Sequence, residues 1–178
     1  MAVVFDSTVG GANANSFVTL AEFKLYADGR MPQSAAVAAA LDPDDLHRAL
    51  ITATRLIDEY ADWDSSRTYP GVQNLGLPRI GLYDTDAEVF YLSTTIPYPA
   101  IHATSELAIR LLEDDRLSDF PIEGIRELKV AVIELKFDKT DGRPIIPDEI
   151  WTILRDLIDG QLGESGGSGM HMNSLERV

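Results

Sequence analysis

Apolar residues between positions 42 and 60 recur at steps of three and four, as they do on one face of an α-helix. That face is formed by Leu46, Leu50, Ala53, Ile57 and Tyr60. Asp42 suits the N-cap position, and Pro43 suits the first helical residue. The pattern therefore predicts an amphipathic helix of about four to five turns that buries this face.

Four further segments are predicted to be helical. Thr19 and Glu22 have capping-box spacing ahead of a short helix over residues 20–27, which Gly29 follows. The alanine-rich residues 34–41 favour another short helix. A long helix over residues 99–113 shares one face among Ile101, Thr104, Leu107, Ala108 and Leu111. The last helix opens at Pro147, stops at Gly160 and has the apolar residues Ile150, Ile153, Leu154, Leu157 and Ile158.

Two segments have the composition of strands. Residues 87–94 are rich in aromatic and β-branched residues and predict one strand of a small hairpin. Residues 128–137 alternate between apolar and polar, and the phase slips once between Val132 and Ile133, a pattern that favours a strand with a β-bulge over a helix. Residues 139–142 have the composition of a turn.

The predicted fold is therefore mainly α, a small helical bundle with a long central loop, a minor β-hairpin element and extended N- and C-terminal arms. Residues 1–18 form the N-terminal arm and residues 19–160 the helical domain. Within that domain, residues 63–99 are a long loop region punctuated by proline and glycine. Residues 161–178 are a glycine-rich linker and a tail whose apolar side chains predict docking on a partner.

Composition excludes several classes of protein. The chain has 178 residues, 45% of them apolar and 25% charged, which predicts one globular domain. Its 15 basic and 29 acidic residues give a net charge of −14, which repels phosphate backbones. It has no cysteine, so thiolate metal sites and disulfides are excluded. Neither a signal peptide nor an apolar stretch near the roughly 20 residues of a membrane span is recognised.

Catalytic and ligand-binding motifs are weak. Residues 163–167 match the pattern Gly-x-Ser-x-Gly around Ser165, but that motif works at a strand-to-helix turn, and here it lies in a glycine-rich tail. His47, His102 and His171 lack metal-ligand spacing. Residues 84–88 begin like a calcium loop, but Val89 stands where that loop requires glycine. We expect no enzyme activity, no metal and no cofactor.

Five motifs, in order, resemble one known family. They are Asn15-Ser-Phe-Val-Thr-Leu-Ala-Glu22, residues 49–58 of the long helix, the proline–arginine loop of residues 75–84, the Ile96-Pro97 step and residues 103–112. Together they are similar to tailed-bacteriophage head–tail connector, or adaptor, proteins, a family also known as DnaT-like single-stranded DNA-binding. The loop departs from the family pattern at Leu77, where an aromatic residue is usual.

The resemblance implies a structural virion protein at the head–tail junction, present in the host cytoplasm during assembly. Such adaptors form a homo-oligomeric ring, commonly dodecameric, between the portal protein and the next tail-side ring or tail-terminator protein. Packaged DNA passes through the lumen without specific binding, and no membrane is involved. The resemblance, which covers residues 13–158, implies subunit contacts at Arg67, Arg79 and Tyr83, with the two arginines pairing with carboxylates of an adjacent subunit or, alternatively, solvated. In the tail, which lies outside the resemblance, the apolar side chains of Met170, Met172, Leu175 and Val178 predict a docking contact, with a frayed terminus as the alternative.

Two alternatives stay open. The first is a replication module that binds single-stranded DNA, in which Tyr83, Phe90, Tyr91 and Tyr98 would stack on bases. The sequence places no basic run beside these aromatics, so packing in a core or an interface fits them better. The second alternative is a hydrolase that uses Ser165.

Overall fold

The structure is a computed structural model that describes residues 3–30, 42–113, 127–130, 133–136 and 144–158. Four helices lie in these ranges: α1 (Leu20–Gly29), α2 (Pro43–Tyr60), α3 (Tyr98–Glu113) and α4 (Asp148–Leu154). The described strands form antiparallel pairs: β1 (Ser66–Arg67) with β2 (Arg79–Ile80), β3 (Tyr83–Asp84) with β4 (Val89–Phe90), and β5 (Glu127–Val130) with β6 (Ile133–Lys136). The predicted mainly α fold with a minor β element is confirmed. The helix predicted over residues 34–41 and the turn at 139–142 lie outside the described residues.

Helix α3 is the centre of the bundle. It packs against α1, α2 and α4, and every residue from 103 to 109 is buried. The single apolar face predicted from periodicity therefore understates its burial, because neighbouring helices cover more than one side. Ile101 and Leu111, which were assigned to that face, are only partly buried.

Helix α2 follows its sequence signals closely. The Asp42 side chain caps the helix by accepting a hydrogen bond from the backbone N–H of Asp44 at 2.8 Å. Leu46, Leu50, Ala53 and Ile57 are buried as predicted. Tyr60 is half exposed, contrary to the prediction, because it is the last residue of the helix, where the chain turns away.

The N-terminal residues 3–18 are irregular but tied to the bundle. The side chain of Asn15 accepts from the Asp6 N–H and donates to the Val4 carbonyl, which closes a compact loop. The backbone N–H of Phe17 donates to the Thr54 hydroxyl of α2 at 3.2 Å, and Phe17 itself is buried. The Thr19–Glu22 capping box then starts α1.

Two predicted elements differ in the structure. The segment predicted as one bulged strand over residues 128–137 contains two described strands, β5 and β6, in which Val130 pairs antiparallel with Ile133. Helix α4 ends at Leu154 rather than continuing to Ile158. Beyond it, Ile158 forms an isolated antiparallel bridge with Trp63, and the Leu157 carbonyl accepts from the Asp64 N–H at 3.1 Å. This pairing takes the backbone out of helical geometry.

A buried carboxylate joins three helices. Glu106 of α3 accepts both Nε and Nη2 of Arg30, which follows α1, at 2.6 Å each. Arg110 donates to Glu106 at 3.2 Å and also pairs with Glu149 of α4 at 2.6 Å. The hydrogen bonds from Arg30 hold the pKa of Glu106 below its ordinary value of 4.5. Since burial alone would raise that pKa, the cations are what permit a charge at this position.

We expect Glu106→Gln to lower the free energy of unfolding by about 2–4 kcal/mol, because it removes the buried charge that pairs with both Arg30 and Arg110. An acid with a depressed folded-state pKa stabilises the fold above its unfolded pKa. That stabilisation is lost as the pH falls below about 4.5 toward the folded pKa. Urea unfolding between pH 7 and pH 3 should therefore show a shallower acid loss in the variant than in the wild type.

Arg48→Gln is the matched control, because Arg48 forms ion pairs with Asp44 and Asp45 on the exposed side of α2. Such surface pairs contribute about 0–1 kcal/mol. Equal losses in the two variants, or an unchanged acid slope in Glu106→Gln, would contradict the role assigned to the buried carboxylate.

Candidate functional site

The central loop, residues 63–99, is anchored to α2 by one carboxylate. Asp58 Oδ1 accepts a hydrogen bond from the Gly76 N–H at 2.8 Å and another from Trp63 Nε1 at 3.0 Å. Burial raises the pKa of Asp58, and the two donors oppose that rise. A helix side chain thus holds both the start of the loop and its middle.

Gly76 is required for this contact. A Cβ atom on Gly76 would overlap Asp58 Oδ1 and lie 2.5 Å from Trp63 Nε1. Only a residue without a side chain lets the loop backbone approach the carboxylate so closely. The Leu77–Pro78 peptide that follows is cis, and the Leu77 side chain is fully buried.

A second buried polar group shapes the interior of the loop. Gln73, only 4% exposed, accepts from the Tyr69 N–H at 2.8 Å through its carbonyl oxygen. Its amide nitrogen donates to the carbonyls of Leu75 at 2.9 Å and Pro78 at 3.2 Å. The side chain therefore replaces the backbone ladder that a regular strand would supply.

Arg79, one of the predicted contact residues, is used inside its own chain. Its Nε donates to the Gly76 carbonyl at 3.0 Å. Its Nη1 donates to the carbonyls of Trp63, Asp64 and Ser65. Burial, followed by the nearby charge of Arg67, lowers the pKa of Arg79 from its ordinary value. The guanidinium acts as a clamp across β1 and β2, and its pairing with a neighbouring subunit stays a prediction.

The acidic residues that begin like a calcium loop form the hairpin between β3 and β4. Asp84 Oδ1 accepts from the backbone N–H groups of Asp86 and Ala87 at 3.0 and 2.8 Å. The Tyr91 hydroxyl donates to Asp84 Oδ2 at 3.0 Å. These bonds lower the pKa of Asp84, led by the one from Ala87, and burial leads the rise of the Tyr91 pKa to about 12. The carboxylate serves as a turn acceptor.

The hairpin is also fixed to the segment that follows α4. Arg155 pairs with Asp86 at 2.6 Å, and the Thr85 hydroxyl donates to Asp156 at 2.7 Å. Tyr83 and Phe90 face each other in register and make an edge-to-face ring contact at 5.1 Å. The hairpin is thus held by a ring contact of its own and by the segment after α4, which is distant in sequence.

Large apolar side chains stay exposed across this well-held loop. We call them the apolar loop surface. Phe90 is 68% exposed and Leu92 70% exposed. The full set is Tyr69, Val72, Ile80, Tyr83, Val89, Phe90, Leu92 and Tyr98. Most of the exposed large apolar residues in the described part of the chain belong to it, which marks it as the candidate binding region.

Several arginines of the loop and of the helices are engaged within the chain. Arg155 and Arg110 form ion pairs with carboxylates, and Arg79 donates to carbonyls. Arg67, the other predicted contact residue, is exposed and makes no ion pair with any described residue. A continuous row of free cations, as a phosphate-binding groove needs, is not formed by the described residues.

Other predicted features have these outcomes. Met170, Met172, Leu175 and Val178, together with Ser165 and His171, lie outside the described residues. Where the structure describes the chain, no group of three or more potential metal ligands occurs. No helix among the described residues is long and apolar enough to cross a membrane.

Sequence reasoning missed the residues that build the loop, chiefly Asp58 and Gln73. Asp58 follows the buried Ile57 on helix α2, which the sequence analysis considered only for its apolar face. No neighbouring residue indicates that Asp58 anchors the loop. The glycine and proline spacing of residues 71–81 was the one hint that the loop is ordered.

The chain matches, over residues 1–178, the model of the family described as "Putative DnaT-like ssDNA binding protein". The protein therefore belongs to that family. The sequence motifs described above resemble proteins that carry the same DnaT-like name. The description agrees better with the single-stranded DNA-binding alternative than with the adaptor interpretation. Searches of curated proteins and of solved structures found no significant match.

We expect Asp58→Ala to lower the free energy of unfolding by about 2–4 kcal/mol, because it leaves the Gly76 and Trp63 donors unpaired inside the protein. Asp58→Asn keeps an acceptor oxygen in the same place and should lose less than about 1 kcal/mol. Because burial raises the pKa of Asp58, its ionisation lowers the free energy of unfolding as the pH rises through that folded-state pKa. Asparagine does not ionise, so the variant does not lose this stability.

Urea unfolding at pH 7, followed by tryptophan fluorescence, compares the two variants directly because Trp63 is in the contact. If Asp58→Asn lowered the free energy of unfolding as much as Asp58→Ala does, an acceptor oxygen at this position would not be sufficient and the charge would be required.

Proposed function

We propose that the protein is a structural virion subunit that assembles into an adaptor ring between portal and tail and extends the DNA channel. The observation that carries this proposal is the apolar loop surface, which is exposed on a loop whose backbone is hydrogen-bonded to the side chains of Asp58, Gln73 and Asp84. A preorganised apolar surface is what a protein–protein contact needs, since little ordering entropy is then lost on binding. In this role the protein carries no catalytic activity, metal or cofactor.

Electrostatics supports the same role. The net charge of −14, with several described arginines engaged internally, makes the surface repel phosphates. A channel through which packaged DNA slides benefits from such repulsion, because gripping phosphates would slow the passage. The partners in this proposal are further copies of the chain in a ring, commonly dodecameric, then the portal protein and the next tail-side ring or tail-terminator protein.

Single-stranded DNA binding is the second candidate function, and the family description favours it. Phe90 and Tyr98, at 68% and 75% exposure, offer ring faces on which bases could stack. Arg67 is an exposed cation of the central loop. Under this alternative, affinity would come mainly from stacking on the apolar loop surface and, with one exposed cation, would fall only shallowly with added salt.

The adaptor proposal predicts that the purified protein adds a layer to its portal in negative-stain images. Deleting residues 163–178 should remove the layer if the tail is the tether. The deletion removes none of the contacts described for the central loop, so a layer that survives it keeps the adaptor role and discards the tether. A protein that leaves the portal bare, under conditions where the portal itself is intact, would overturn the proposal.

The adaptor role and single-stranded DNA binding predict different results in an oligonucleotide titration. For the adaptor we expect fluorescence anisotropy of a labelled single-stranded oligonucleotide to stay flat at physiological ionic strength, because the surface is acidic. Saturable binding that Phe90→Ser weakens and Leu25→Ser leaves unchanged would establish the second candidate. Leu25 is the matched control, an exposed apolar residue of α1 at 77% exposure.

A further inference from the structure

The β3–β4 hairpin is joined to the rest of the fold at its base and, through side chains of its turn, to the segment after α4. We propose that residues 83–90 form a latched arm: Arg155 and Asp156 hold its turn, and the arm swings on its base when their contacts to it are lost. In the latched position the arm keeps Val89 and Phe90 in the apolar loop surface. The latch itself stands on contacts within the chain, and its effect on partner binding rests on the proposed adaptor role.

The base of the arm is fixed in the core. Leu82, directly before β3, is 1% exposed, and its carbonyl accepts a hydrogen bond from the backbone N–H of Tyr91, directly after β4, at 2.9 Å. The Tyr91 side chain packs against the buried core of the bundle. Movement is therefore confined to the residues between Leu82 and Tyr91.

The arm itself has little packing beneath it. Its two strands have two residues each, and every residue from 85 to 90 is exposed. An open recess of about 490 Å³ lies between the hairpin and the end of α4. The hairpin side of the recess is lined by Asp86, Ala87 and Tyr91, and the opposite side by Thr152, Ile153 and Asp156. Because empty space lies where side chains would otherwise pack, apolar contacts contribute little to holding the turn.

Two side-chain contacts join the turn to the segment after α4, and we call them the latch. Arg155 Nη2 lies 2.6 Å from Asp86 Oδ2, and the Thr85 hydroxyl donates to Asp156 Oδ1 at 2.7 Å. The Asp86 side chain is 78% exposed and that of Arg155 44% exposed. Exposed ion pairs are individually weak and are screened by salt. The latch therefore breaks more easily than the core unfolds.

The other side of the latch is firmly anchored. Leu157 is fully buried, and its carbonyl accepts from the Asp64 N–H at 3.1 Å. Ile158 forms the antiparallel bridge with Trp63. The two latch residues directly before Leu157 therefore extend from a backbone that is fixed to the start of the central loop.

The latch sets how the apolar loop surface is presented. Val89 and Phe90 lie on the arm, whereas Val72 and Ile80 lie on parts of the central loop outside it. A swinging arm moves the first two side chains relative to the others. A partner that needs the whole surface then finds it assembled only in the latched state, and its apparent affinity falls with the latched fraction.

Distances between two spin labels test the latch, because the chain has no cysteine of its own. The full-length protein is labelled at Leu25→Cys on α1 and at Val89→Cys on the arm, both exposed positions. We expect a narrow distance distribution with the latch intact and a broad one after Arg155→Gln and Thr85→Val, which remove both contacts. Salt at about 1 M, where the screening length is about 3 Å, should broaden the distribution in part.

Two matched controls make this measurement specific. Labels at Leu25→Cys and Val72→Cys should keep their distance distribution when the latch is removed, because Val72 lies on the central loop outside the arm. Arg48→Gln removes exposed ion pairs of α2 and should leave the arm in place. An unchanged arm distribution without the latch, or equal broadening in Arg48→Gln, would overturn the proposal.

Charge exchange tests the ion pair of the latch separately. Arg155→Asp and Asp86→Arg should each broaden the arm distribution, and the double variant should narrow it again. Because both side chains are exposed, the urea midpoint of each variant should stay near that of the wild type. A double variant as broad as the single variants would show that the ion pair does not hold the arm, and would overturn its place in the latch.

Binding to the candidate portal separates the latch from the adaptor role. We expect the variant without the latch to bind the portal about three- to tenfold more weakly than the wild type. Unchanged affinity despite a broad arm distribution would overturn the role of the latch in partner binding. A wild-type protein that leaves the portal bare would overturn the adaptor role, and the arm distances would still decide whether the latch exists.

Discussion

The hydrogen bonds between Asp58 and the central loop are the constraint on which the candidate site depends. A long loop rich in proline and glycine has few backbone hydrogen bonds of its own, so polar side chains must order it. Asp58 takes that role from a helix that is already fixed in the bundle, and Gly76 permits the approach. Gln73 and Asp84 then satisfy the backbone further along. The loop that presents the exposed surface is thus fastened to the core through one carboxylate.

The bundle uses its charges in a similar way. Glu106 sits in the most buried helix and is tolerated there because Arg30 and Arg110 surround it. Arg110 extends the network to Glu149 and so includes α4. Arginines used as internal ties are not available to phosphates. The chain has few basic residues, and these internal ion pairs leave its surface still more acidic. The ion pairs that stabilise the fold therefore also disfavour binding to anionic partners.

Local signals predicted the helices well, because caps and apolar periodicity act within a few residues. The Thr19–Glu22 box and the Asp42 cap are both observed. The sequence did not predict two backbone pairings, one of them long-range. Helix α4 ends early because Ile158 pairs with Trp63, and one predicted strand is two strands because Val130 pairs with Ile133. Asp58 and Gly76 are 18 residues apart, and nothing local to either announces their contact.

The family description and the surface of the molecule point in different directions, and physical chemistry says what would reconcile them. Binding to single-stranded DNA needs stacking aromatics together with cations that release counterions. The described surface supplies the first and, apart from Arg67, withholds the second near the exposed rings. Aromatic and aliphatic groups can bind another protein without cations beside them, because a protein partner has no phosphates that must be neutralised. Exposed apolar area with few free cations is therefore better matched to protein contacts, and a protein whose work lies beside DNA can be selected to avoid holding it.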